Sequence, residues 1–198
     1  MRLYYASASP YVRKVNVVLQ ETGQMEEVER VTVMTTPLNP AEVLQAANPI
    51  SKIPALERPD GPTLYDSRVI CEFLNERAAA SLYARGWESK ILEATGDAIS
   101  DAAVLMSYEK RMRPEEKVWD GWLGAQSAKI LDVSAALTAR WMSHLQGPLD
   151  IGQIAVGCAL DYVDFRHPEV DWRSGNDQLA AWHAQFLEKP SMAATKPA

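Results

Sequence analysis

The hydrophobic period of this 198-residue chain changes once, near residue 77. Before that point, short aromatic or β-branched runs alternate with stretches of helical spacing. Beyond it only helical spacing remains. The alternation calls for a sheet covered by helices, and the long helical remainder calls for a bundle with its own core. The chain therefore reads as an α/β N-terminal domain followed by an all-α domain.

"RLYYA" (2–6) suits a short strand. From Pro10 the residues Tyr11, Val12, Val15, Val18 and Leu19 recur at helical spacing, and Gly23 marks the stop. "EVERVTV" (27–33) supplies a second strand. In "NPAEVLQAANP" Asn39 is the expected cap and Pro40 the first helical residue, with Asn48-Pro49 as the end. "IPALERPDGPTLYDS" (53–67) reads as two strands joined by a turn at Pro59-Asp60-Gly61. Helical spacing returns through Val69, Ile70, Phe73 and Leu74, so the order over 1–77 is β-α-β-α-β-β-α. "AAASLYARG" (78–86) has the look of a linker to a helical domain over 87–198. Within that domain helices are expected over 88–113 and 115–145, from Asp150, and over 176–188. Asp150 and Gln153 have capping-box spacing.

Composition narrows the function classes. A net charge of −6 without a basic cluster speaks against sequence-independent nucleic-acid binding. No apolar run approaches the ~18 residues of a membrane span, and "MRLYYASASP" lacks the apolar core of a secretory signal. Cys71 and Cys158 lie in apolar helical sequence and read as reduced, buried, cytoplasmic thiols. His144, His167 and His183 are far apart and form no metal-ligand pattern, so no metal is expected. The six tryptophans read as core and inter-helix packing.

Three local motifs carry the chemistry: "SPYVRK" (9–14), "NPISKIPAL" (48–56) and "LYDSRVICEFL" (64–74). Each also has a plain structural reading. Ser9 and the Asp66-Ser67 pair are good helix N-caps, and Pro54 can open a strand. Lys14 reads as part of a solvated helix face, while Arg13 biases the local potential towards anions.

In this order and topology the three motifs resemble the glutathione S-transferase superfamily, in its bacterial-type form with serine at the thiol-activating position. The resemblance spans the chain and implies a thioredoxin-like first domain and glutathione as co-substrate. It implies that Ser9 donates a hydrogen bond to the glutathione sulfur, with Tyr5 as second candidate and Ser7 as third. It further implies a cis Ile53–Pro54 peptide facing the ligand, Lys52 near the glycyl end, and Asp66 and Ser67 on the γ-glutamyl group. Tyr11, Met106 and Tyr108 become candidates for the site of a small hydrophobic electrophile, and a homodimer is expected. A non-catalytic glutathione-binding protein of stress or detoxification type is the alternative. A glutathione-dependent thiol reductase is disfavoured, because that chemistry needs a sulfur nucleophile where Ser9 stands.

Overall fold

Residues Arg2–Tyr5 form β1, the central strand of a three-stranded sheet, in the computed structural model, which describes residues 1–197. Strand β2 (Glu29–Thr32) pairs with β1 in parallel, with Tyr5 opposite Thr32. The connection between them is α1 (Pro10–Glu21) and a 3-10 turn at Met25–Glu27. Strand β3 (Ala55–Glu57) pairs with the other edge of β1 in antiparallel register, Tyr4 opposite Ala55 and Leu3 opposite Leu56.

Side chains alternate across the sheet. Tyr4 and Ala55 pack with Val33 and with Leu44 of α2 (Glu42–Ala47), while Leu3 and Leu56 are turned to the other face and are also buried. Helix α3 (Ser67–Arg77) packs against α1. The C-terminal ends of this pair are tied by Gln24, whose amide donates to the Thr22 hydroxyl at 2.8 Å and to the Leu74 carbonyl at 2.9 Å. Arg77 closes the network through the Gln24 amide oxygen and Glu27.

Two details differ from the sequence reading. The expected return strand of the hairpin contracts to one bridge, with Leu56 and Leu64 exchanging backbone hydrogen bonds of 2.8 and 2.9 Å. Pro59 and Pro62 in this stretch have no N–H for a ladder, and the Arg58 Nε instead donates to the Pro62 carbonyl at 3.2 Å. Helix α2 starts at Glu42 with Ala41 as its cap, not at Pro40 after Asn39. Asn39 is drawn into a turn with Thr36, its N–H reaching the Thr36 carbonyl at 3.2 Å and the hydroxyl at 3.0 Å.

The chain divides into two compact units: Met1–Gly86 with the segment from Pro190 onward, and Trp87–Lys189. Residues 78–86 thus belong to the first unit, turning through left-handed backbone at Ala79 and Gly86. The short helix α9 (Pro190–Ala193, numbered last in chain order) packs on α1.

The second unit holds α4 (Trp87–Met112), α5 (Asp120–Arg140), α6 (Met142–Leu145), α7 (Ile151–Arg166) and α8 (Asp177–Leu187). Helix α7 is the axis, buried continuously from Ile151 to Leu160 and packed along α4. Gly96 on α4 and Gly152 on α7 permit that approach. A Cβ at Gly96 would stand 2.6 Å from the Ala155 carbonyl carbon, and one at Gly152 would stand 2.7 Å from the Leu92 Cβ.

The capping box forms as expected, with the Gln153 N–H reaching Asp150 Oδ1 at 3.0 Å and the Asp150 N–H reaching Gln153 Oε1 at 3.3 Å. The single helix expected over 115–145 is instead a 3-10 turn, α5 and α6, parted where Trp141 leaves helical dihedrals at φ −118°. No glycine or proline marks that break. Cys71 and Cys158 are free and buried. Trp172 and Trp182 are core residues, but Trp87 and Trp119 are 83% and 66% exposed, contrary to the packing role expected of all six. Among the described residues, no helix is long and apolar enough to cross a membrane.

Candidate functional site

Strand register brings the three sequence motifs to one end of the sheet. Strand β1 runs out at Tyr5, and the chain reaches Ser9 four residues later. Because Tyr4 faces Ala55, the next pair outward sets Pro54 beside Tyr5. Because Leu56 bridges Leu64 in antiparallel sense, the same step leads from Leu64 to Tyr65 and Asp66. Ser9, Pro54 and Asp66 therefore leave the sheet at the same end.

Ser9 caps α1. Its hydroxyl oxygen accepts the Val12 N–H at 3.3 Å, and its carbonyl accepts the Arg13 N–H at 3.0 Å. A serine hydroxyl has two acceptor lone pairs and one donor proton. Capping uses a lone pair, so the proton remains to be donated. It would be donated at a helix N-terminus, where the peptide dipoles favour negative charge. Tyr11 follows in the first turn and is partly buried. Ser7 lies in the preceding turn, exposed. Tyr5, at the strand end, has the Arg30 guanidinium over its ring at 6.0 Å.

The Ile53–Pro54 peptide is cis, as expected, and Pro54 is buried. The loop before it is held by Asn48, a fully buried residue whose amide donates to the Lys52 carbonyl at 2.8 Å and accepts the Ile50 N–H at 3.1 Å. Between them Ser51 adopts left-handed backbone at φ 54°. Lys52 itself points its side chain into an exposed region, and Ile53 is half-buried. The sequence marks Asn48 as a helix stop and as the first residue of the 48–56 motif, without showing its hold on the loop. The Asn-Pro dipeptide was the available signal, since asparagine bonds readily to backbone two residues on.

Asp66 is the N-cap of α3, accepting the Arg68 N–H at 2.9 Å and its Nε at 3.4 Å. Partial burial pushes its carboxyl up, but the Arg68 N–H and guanidinium and the charge of Lys14 outweigh this and hold it below the ordinary carboxylate range. Ser67, the first helical residue, is buried. An ionised carboxylate can take an ammonium, and the free N–H groups of the helix N-terminus beside it can take a carboxylate.

The reading of Lys14 as a solvated lysine is overturned. Lys14 is 1% exposed and Arg13 3% exposed, because every residue of α1 from Val12 to Leu19 is covered. The apolar positions mark one face, but α3 and α9 also pack on this helix and remove its solvent side. Met106 and Tyr108 lie on α4 in the second unit. Met106 is buried there, while Tyr108 is partly exposed and burial pushes its phenol up. Among the described residues, no cluster of three or more His, Cys, Asp or Glu is arranged to hold a metal ion.

Comparison with known proteins agrees with this geometry. Residues 8–77 match the model of the glutathione S-transferase N-terminal domain, and residues 118–185 match that of its C-terminal domain. A crystal structure of a glutathione transferase family member from Pseudomonas fluorescens Pf-5, with bound glutathione, is 41% identical. The match covers 100% of this chain and 98% of that one, with a TM-score of 0.93. The chain belongs to the glutathione S-transferase family. Another family structure, from Methylobacillus flagellatus KT with glutathione bound, is 30% identical over 100% of this chain and 99% of that one, at a TM-score of 0.85. The GST-like protein YibF of Escherichia coli K12 is 28% identical, covering 100% of this chain and 98% of its own length.

Proposed function

We propose that the protein is a glutathione transferase in which Ser9 stabilises the thiolate of bound glutathione for attack on a small hydrophobic electrophile. The observation that carries this reading is the capping geometry of Ser9, which spends a lone pair on Val12 and leaves a proton to donate. A free thiol has pKa ≈ 8.5 and is mostly protonated at neutral pH. A hydroxyl donor and a helix N-terminus both favour the anion. The sulfur then attacks a soft electrophilic carbon, the S–C bond forms as the leaving group departs, and the thiol proton goes to solvent.

Asp66 would hold the α-ammonium of the γ-glutamyl group and Ser67 its carboxylate, with the backbone of Ile53 and the Lys52 side chain along the rest of the tripeptide. The bound glutathione in the Pseudomonas and Methylobacillus relatives supports this ligand. Tyr11, in the first turn of α1, is the proposed contact for the electrophile, and Tyr5 the alternative donor. Burial of Cys71 and Cys158 argues against a thiol-exchange cycle through either. A cytoplasmic homodimer is the assembly expected of the family. The exposed row Trp87, Ile91 and Leu105 on α4 offers apolar surface for a second copy, to be checked by sedimentation equilibrium.

Ser9→Ala is the deciding experiment. It should lower turnover with an aryl halide by about a hundredfold while changing glutathione affinity by less than about threefold, since the lost bond is to the thiolate. The ultraviolet absorbance of the thiolate should titrate at higher pH. If both the rate and that titration stay as in the parent, Ser9 is not the donor. Retention on immobilised glutathione without turnover on any electrophile would favour a binding protein instead.

A further inference from the structure

The end of the chain grips α1 at both of its ends. Near the start, Arg13 donates its Nη2 to the carbonyl of Met192 at 3.3 Å, a buried hydrogen bond between residues 179 positions apart. In the last turn, Glu21 accepts the Ser191 hydroxyl at 2.5 Å. Between these contacts the Met192 side chain is fully buried. Arg13 is also the residue whose N–H closes on the Ser9 carbonyl, and its neighbour Val12 donates to the Ser9 hydroxyl. A short chain of bonds thus runs from the Met192 carbonyl, through the Arg13 guanidinium and the first turn of α1, to Ser9.

The chemistry of this clamp is costly for a merely structural contact. Burying a guanidinium loses hydration that an apolar side chain would not forfeit. An arginine is directional where a leucine is not, because its planar fork accepts partners only along its N–H bonds. A carbonyl near the end of a helix is a good partner for it, since the last C=O groups lack partners within the helix.

We propose that the C-terminal segment Pro190–Ala193 is a strut that sets the position of Ser9 through Arg13, making Arg13, Ser191 and Met192 positioning residues for thiolate stabilisation. The inference rests on the reading of Ser9 as the thiol donor. It adds that residues 190–193 tune that donor without touching glutathione. Hydrogen-bond strength falls steeply with misalignment, so a small rotation of the first turn weakens the bond to sulfur without disturbing the sites that hold the peptide.

The test uses the full chain and reads the thiolate absorbance of bound glutathione against pH, with glutathione Kd measured in parallel. Ser191→Ala combined with Met192→Ala should raise the apparent thiol pKa by about half a unit to one unit. At pH values well below that pKa the thiolate fraction then falls about threefold to tenfold, while Kd changes by less than about twofold. Arg13→Met should do the same, and Arg13→Lys, which keeps a donor for the carbonyl, should recover part of the shift. Ser191→Ala alone serves if the larger changes prevent folding, with a smaller shift in the same direction. A parent-like titration in folded strut variants, with Ser9→Ala still shifting it, overturns the strut and leaves the Ser9 reading standing. An unshifted titration in Ser9→Ala removes both.

Discussion

Asn48 spans the loop between α2 and β3, donating its amide to the Lys52 carbonyl at 2.8 Å while its oxygen accepts the Ile50 N–H at 3.1 Å. The residue is fully buried, and both ends of its amide are used. The backbone that leads into Ile53 therefore has its shape set by Asn48, whose carbonyl also accepts the Ser51 N–H at 2.9 Å, rather than by secondary structure.

Asn48→Ala leaves the partly buried Lys52 carbonyl and Ile50 N–H without this partner, and each lost bond costs about 0.5–1.5 kcal/mol. The expected outcome is a lower denaturant midpoint and glutathione affinity weakened about tenfold, read by chemical unfolding and by calorimetric titration with glutathione. Asn48→Asp keeps the acceptor for Ile50 but loses the donor, and should lie between alanine and the parent. Parent-like affinity in a folded alanine variant would show that the loop's shape does not matter to the ligand.

Asp66→Asn separates capping from charge. Asparagine caps helices as well as aspartate does, so the melting temperature should change little. Loss of the carboxylate should weaken glutathione binding by about tenfold or more, the range of a charge-assisted hydrogen bond. The pH dependence has a definite sign. Arg68 and Lys14 overcome the effect of burial and hold the Asp66 carboxyl below its ordinary value. Binding to the parent should therefore persist as pH falls through the ordinary carboxylate range, and fail only below it.

Two buried histidines set the acid side of the stability profile. Burial lowers His167, against the upward pull of the Ala103 carbonyl and Glu169, and burial likewise lowers His183. Both are depressed in the folded state below an unfolded value near 6.5. The unfolded chain therefore binds more protons in that window, and stability falls as pH drops below about 6.5. Denaturant midpoints at pH 7.5, 6 and 5 should decrease in that order, and His167→Gln should flatten the slope. Midpoints constant between pH 7.5 and 5 would contradict this account.

Two helical glycines should respond oppositely to alanine. At Gly96 the added Cβ meets the α7 backbone at 2.6 Å from the Ala155 carbonyl carbon and 2.7 Å from the Val156 nitrogen. Backbone cannot swing aside, so Gly96→Ala should destabilise by about 1–3 kcal/mol despite better helix propensity. At Gly124, within α5, a Cβ finds nothing within 4 Å. Gly124→Ala should stabilise by about 0.5–1 kcal/mol. Thermal melts of the two variants decide the point.

What the chain reveals without its structure is local. Ser9, Asp66 and Asp150 each cap a helix through a bond to a backbone N–H two or three residues on, so a short window contains both partners. The turn from sheet-forming to helical pattern near residue 77 is legible for the same reason. The break at Trp141 shows the limit, because it has no local breaker and arises where α5 gives way to α6.

Tertiary structure alone decided which polar residues would lose their water. Arg13 and Lys14 occupy positions that helical periodicity assigns to solvent, yet both are buried. The covering of Arg13 includes α9, whose Met192 the chain supplies 179 residues later. Periodicity records where a helix is apolar, and burial depends on everything that later packs around it. Arg13 and the register that sets Ser9, Pro54 and Asp66 at one end of the sheet depend on such distant partners. The caps could be read from neighbours in sequence, whereas the site they serve exists only once the strands have paired.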